Sequence, residues 1–163
     1  MNLITNLGAG TNLLIIYWIS LIAFIFFKQW KSVLGLMLGF WTIHFATGYY
    51  KDFFHRVRPE HWLTGAGGWS YPSGHTTEST IVLLFIAYAL YLKLKPGLVR
   101  NLSVGVSLGL ALLIGLSRIY LSVHWFSDVY GGIMFSLAFF LMFMGITSLF
   151  GKKEKTVELE KVL

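Results

Sequence analysis

Long uncharged stretches alternate with short charged ones along this chain. Leu3 to Phe27 holds no charged residue over 25 positions, and Ser32 to Tyr50 none over 19. Thr76 to Leu92 is interrupted only by Glu78, while Asn101 to Ser117 and Val129 to Gly151 carry no charge. At about 1.5 Å per residue, a helix of about 20 residues crosses the hydrocarbon core of a bilayer. The runs lack strand-like alternation, and backbone in lipid must be satisfied within helices or a closed barrel. The pattern therefore predicts an all-α polytopic transmembrane bundle of about five spans, a single domain over residues 1–163, with 152–163 as a charged cytoplasmic tail. The first run lacks the basic start and small-residue cleavage site of a signal peptide, so it is expected to remain as a span. Gly35 and Gly39, four apart, predict a face on which another helix packs closely.

Two segments break the pattern. One is Lys51 to His75, KDFFHRVRPEHWLTGAGGWSYPSGH, and the other is Ser117 to Asp128, SRIYLSVHWFSD. With five spans, both fall on one face of the membrane. That face carries four of the 13 Lys and Arg residues, namely Lys51, Arg56, Arg58 and Arg118, against nine on the other face and the tail. Basic loops stay in the cytoplasm, so both segments are expected outside the cell membrane and the C-terminus inside. Trp62, Trp69, Tyr71 and Trp125 flank them, as an interfacial aromatic belt would.

Composition agrees with a membrane protein. Hydrophobic residues make up 56% and charged residues 12%, with a mean hydropathy of +0.68, against about 25% charged in soluble domains. The net charge of +6 comes from loops between apolar runs, which excludes a nucleic-acid patch as its explanation. No cysteine is present, so there is no disulfide framework and no thiolate metal site. No inverted repeat or broken midplane helix suggests a transporter.

The polar segments hold the parts of a phosphate site. Lys51, Arg58 and Arg118 offer three positive charges, the guanidinium forks matching paired phosphate oxygens. Pro72-Ser73-Gly74-His75 is a small turn before a helix, whose N–H groups and Ser73 hydroxyl suit an anion. His124 and Asp128 are four apart and share a helical face. A carboxylate on one ring nitrogen fixes the tautomer and leaves the other nitrogen as a nucleophile. Two histidines can divide attack on phosphorus from protonation of the leaving oxygen. No carboxylate cluster suits a pair of metal ions, so no metal or cofactor is expected.

In order and spacing, Lys51 with Arg58-Pro59, then Pro72-Ser73-Gly74-His75, then Ser117-Arg118 with His124 and Asp128, resembles the type 2 phosphatidic acid phosphatase (PAP2) superfamily. The resemblance covers roughly Ser32 to Gly151 and fills every hallmark position of three motifs. It implies that His124 forms a phosphohistidine, that Asp128 orients it, and that His75 protonates the leaving group and then activates water. Lys51, Arg58, Ser73, Gly74 and Arg118 would bind the phosphate. The implied substrate is a membrane lipid phosphomonoester or diphosphate, of the undecaprenyl diphosphate, phosphatidylglycerophosphate or phosphatidic acid type. A lipid phosphotransferase using the same intermediate, and a lipid-phosphate-binding protein without turnover, are the alternative readings. Membrane members commonly have six spans where five are counted here. A natural short form, a shortened chain or a homodimer that replaces the lost packing would each account for that.

Several other polar residues have two readings. Glu78, one turn after His75, is either a helix-start carboxylate paired with a nearby cation or a group that orients His75. His44, inside the second run, reads as a packed or hydrogen-bonded histidine. Asp52, His55 and Arg56 match no motif position and read as solvated or paired loop residues.

Overall fold

A computed structural model describes residues 1–160, with side chains described for 1–149, and it is built from helices. They are α1 (Asn2–Leu7), α2 (Gly10–Phe26), α3 (Trp30–Phe54), α4 (Gly74–Lys93), α5 (Leu98–Tyr120) and α6 (Phe126–Glu160). Residues 161–163, the end of the predicted tail, lie outside the described residues. Four of the five expected spans correspond to α3, α4, α5 and α6. Segments 74–93, 98–120 and 126–149 are long and apolar enough to cross a membrane, and α2 is a shorter apolar helix of 17 residues.

The first run differs from its expectation by breaking in two. Gly8 ends α1, and a Cβ there would lie 2.7 Å from Ile114 Cγ2 and 3.4 Å from the His75 carbonyl oxygen. The chain is thus drawn tightly against α4 and α5 at this break. Asn12 Nδ2 donates to the Asn6 carbonyl at 2.8 Å, satisfying an acceptor freed at the break. Hydrophobic content alone did not reveal this elbow.

Helix α4 is the centre, packed by α3, α5 and α6. Its Ile81, Val82 and Phe85 are fully buried with Leu36 and Phe40 of α3 and Leu13 and Tyr17 of α2. A side chain on Gly35 would overlap the Phe85 ring, and one on Gly39 would meet Ile81 and Phe85 at 3.0 and 3.1 Å. These glycines let α3 approach α4, as their spacing predicts. The outer faces stay apolar. Ile15, Ile19 and Ile22 form an exposed stripe on α2, as lipid rather than water would require.

Pro96 and Gly97 turn the chain between α4 and α5, where Gly97 takes φ +150°, a region open mainly to glycine. Helices α3 and α5 therefore run one way and α4 and α6 the other. The loops 55–73 and 121–125 meet at the same end of the bundle, where the Leu63 N–H donates to the Leu121 carbonyl at 3.0 Å.

Candidate active site

His55 closes α3 in the left-handed conformation (φ 45°), with its N–H on the Lys51 carbonyl at 3.1 Å. The chain then folds back across the bundle end, and the Ser70 N–H reaches the Arg56 carbonyl at 2.7 Å. Arg58 organises this loop. Its guanidinium donates to the carbonyls of Gly67 (2.8 Å), Gly68 (3.0 Å) and Trp69 (3.2 Å). Across the gap it donates to the Val123 carbonyl (2.7 Å) and to His124 Nε2 (3.1 Å). Lys51 Nζ shares the Trp69 carbonyl at 2.6 Å. One buried arginine therefore joins both polar segments and carries Lys51 with them. Burial, opposed by the Asp128 charge, lowers the Arg58 pKa from its ordinary value.

His124 is 3% exposed, between Arg58 and Asp128. Guanidinium only donates, so Nε2 must be the acceptor and the ring proton sits on Nδ1. Nδ1 faces Asp128 Oδ2 at 3.4 Å and Ser70 Oγ at 3.5 Å. Burial holds the His124 pKa down to about 4; the Asp128 hydrogen bond opposes this, and Arg58, Arg118 and Lys51 add to it. At neutral pH the ring is uncharged, with the Nε2 lone pair on the side of the cations.

Asp128 is fully buried. Its Oδ2 accepts from the Trp125 N–H at 2.9 Å and from the Ser70 hydroxyl, and its Oδ1 accepts from Arg56 at 2.7 Å. A buried carboxylate without such partners would be costly; here both oxygens are satisfied.

The α4 end comes in through Ser73, whose N–H donates to the Asp128 carbonyl at 3.1 Å. Its hydroxyl accepts from Thr76 at 2.9 Å. Gly74 begins α4 and His75 follows, partly buried. A Cβ at Gly132 would lie 2.6 Å from Thr77 Oγ1 and 3.3 Å from the Ser73 carbonyl oxygen, so α6 rests directly on the first turn of α4. Arg118, at the end of α5, is buried and donates to Thr5 Oγ1 of α1 at 2.6 Å.

The sequence-predicted residues gather unequally. His124, Asp128 and Arg58 touch directly, Ser73 joins through its backbone, and Lys51 through Trp69. Arg118 is held from α1 instead. Glu78 does not bond His75; its Oε1 lies 2.9 Å from His44 Nδ1. That pairing makes His44 hydrogen-bonded, as the sequence suggested.

Three partners were not singled out as functional. Arg56 pairs with Asp128 and Ser127 and stacks over Trp125 at 5.8 Å. It stands two before Arg58 outside any helix, where i and i+2 share a side of an extended chain, and that was the available signal. Ser70 and Thr5 had none. Among the described residues, no group of three or more His, Cys, Asp or Glu could hold a metal ion.

The buried imidazole, its carboxylate, the second histidine and the surrounding cations can together support nucleophilic transfer of a phosphoryl group. The PAP2 superfamily model matches residues 28–152. A curated relative, phosphatidylglycerophosphatase B of Bacillus subtilis (strain 168), is 37% identical over 145 residues, covering 86% of this chain and 70% of the relative. A solved structure described as the first transmembrane PAP2 type phosphatidylglycerolphosphate phosphatase, from Bacillus subtilis, aligns with a TM-score of 0.74 at 29% identity. That alignment covers 89% of this chain and 73% of the solved one.

Proposed function

This chain belongs to the PAP2 superfamily, and from that premise we propose that it is a metal-independent membrane phosphatase of a lipid phosphomonoester, of the phosphatidylglycerophosphate type. The observation that carries the reading is the buried His124, uncharged and clamped between Asp128 on Nδ1 and Arg58 on Nε2. The names of the similar proteins favour the phosphatidylglycerophosphate type over the other lipid phosphates.

In the proposed reaction, the His124 Nε2 lone pair attacks phosphorus and a phosphorus–nitrogen bond forms. The ester bond breaks with its electron pair left on the leaving oxygen, which takes a proton from His75, kept protonated by the negative charge of the bound phosphate. Asp128 stabilises the proton on Nδ1 as the ring becomes cationic. Lys51, Arg58 and Arg118, with Ser73 and Gly74 at the α4 N-terminus, hold the equatorial oxygens as charge moves through them. His75, now neutral, takes a proton from water, whose oxygen displaces His124 and releases inorganic phosphate. The distribution of Lys and Arg supports a site on the extracytoplasmic face and a cytoplasmic C-terminus.

The test is phosphate release by the detergent-purified protein from phosphatidylglycerophosphate, phosphatidic acid and undecaprenyl diphosphate, in EDTA. Release that persists in EDTA and disappears in His124→Ala supports the reading. A well-folded protein that releases nothing from any of them overturns it.

A further inference from the structure

The pair formed by His44 and Glu78 has no place in the reaction just described, and packing does not account for it. The α3–α4 contact is already made by Gly35 and Gly39 against Ile81 and Phe85. Yet the two polar side chains meet across the same helices at 2.9 Å, with side chains 49% and 17% exposed. In a bilayer, such groups are costly unless they serve a ligand or each other.

The location identifies the ligand. Glu78 is three residues after His75, on the same face of α4 and about one turn toward the membrane interior. His44 is seven residues before Lys51, about two turns deeper on that face of α3. Where α3 passes the start of α4, Thr47 Cγ2 would lie 3.8 Å from a Cβ on Gly74. The pair therefore lies about one helical turn deeper than His75, the proposed general acid, on the side from which the leaving group of a membrane substrate would extend. Glu78 uses Oε1 for His44, and its Oε2 makes no hydrogen bond among the described residues.

A carboxylate with a free oxygen accepts from a hydroxyl and repels an anion. We infer that Glu78, held by His44, selects substrates whose leaving alcohol carries a free hydroxyl beside the scissile ester, and disfavours those whose leaving group is itself a phosphate. This rests on the phosphatase reading above and narrows it: phosphomonoesters with a free hydroxyl beside the ester, as in phosphatidylglycerophosphate, are preferred to phosphatidic acid and to isoprenoid diphosphates by discrimination at the leaving group. Glu78 also departs here from the role of orienting His75, because its partner lies on another helix.

The experiment compares kcat/KM for three substrates in mixed micelles. They are phosphatidylglycerophosphate, its analogue lacking the hydroxyl next to the phosphate ester, and farnesyl diphosphate. Wild type is expected to favour the hydroxyl by about tenfold or more, the range of a hydrogen bond to a charged group. Glu78→Ala should bring that ratio close to one. Glu78→Gln, similar in size and therefore the control for folding, should raise the diphosphate rate several-fold relative to the phosphomonoester. His44→Ala, which unfastens Glu78, should reduce the hydroxyl preference in part. Equal losses on all three substrates, or ratios unchanged from wild type, would overturn the inference while leaving the phosphatase reading intact. Absence of release from every substrate by folded wild type would remove both.

Discussion

Arg56 reaches 72 positions along the chain to set Nη1 2.7 Å from Asp128 Oδ1. It thereby neutralises a fully buried carboxylate whose other oxygen faces the His124 imidazole, the proposed nucleophile. Its own side chain remains 37% exposed, so the pair bridges solvent and site.

Removing that charge should act through Asp128 on the reaction. Arg56→Gln is expected to lower kcat about tenfold or more, in the range for losing a buried charged hydrogen bond, with a smaller change in KM. Arg56→Lys should recover part of the loss. Steady-state kinetics on phosphatidylglycerophosphate separate the two constants. A rise in KM alone would show Arg56 binding substrate instead of holding Asp128.

Thr5 makes the corresponding claim for Arg118. Thr5→Val keeps the shape and deletes the acceptor 2.6 Å from the guanidinium. It should raise KM for the lipid phosphate several-fold, while Thr5→Ser restores it. The stability cost should stay near the ~1 kcal/mol of one hydrogen bond. If KM is unmoved and only thermal stability falls, α1 is a packing element and not a support for the phosphate site.

The pH dependence of stability follows from His124. Its folded pKa is about 4 against an ordinary 6.5, so between those values the unfolded chain binds the additional proton. This contribution to stability is fully present above about pH 6.5. It is lost as pH falls toward 4, at up to ~1.4 kcal/mol per pH unit for one proton. Thermal unfolding in detergent at pH 7 and pH 5 should show a larger decrease for wild type than for His124→Gln. Parallel decreases would mean that the imidazole is not held neutral by burial.

Two glycines should separate packing from site geometry. Gly35→Ala forces a methyl group into the Phe85 ring, away from the polar loops at the bundle end, and should destabilise by about 1–3 kcal/mol with kcat retained in the folded fraction. Gly132→Ala meets Thr77 Oγ1 and the Ser73 carbonyl, so it should lower kcat as well by shifting the start of α4. Circular dichroism melts paired with turnover per folded molecule decide this. Equal kcat in both variants would show that α6 can move without disturbing Ser73.

The sequence made the hydrophobic runs, the Gly35–Gly39 face and the three motif clusters readable because each depends on local spacing. His124 and Asp128 are one helical turn apart, and chemistry names their relation without a fold. Arg56, Ser70 and Thr5 act across 72, 58 and 113 positions, so their roles emerge only when the loops close. The break at Gly8 was hidden for a related reason. Gly8 lies close to Ile114 and His75, which spacing does not show, although Gly8, Gly10, Thr11 and Asn12 mark a weak point in the otherwise apolar run. Glu78 stands out in the sequence as a carboxylate inside an apolar run, but its partner on α3 could not be chosen from the many polar groups at that end.

The length of α2 reaches beyond the protein. Seventeen residues extend about 25 Å, against a hydrocarbon core of about 30 Å. Because α1 folds away toward α5, nothing continues α2 along its own axis. Thinning of the bilayer beside it would relieve the mismatch at a fraction of a kcal/mol per Å. The headgroup layer would then be lowered next to α2, and a phosphate on a neighbouring lipid would begin its approach already part of the way down into the bundle.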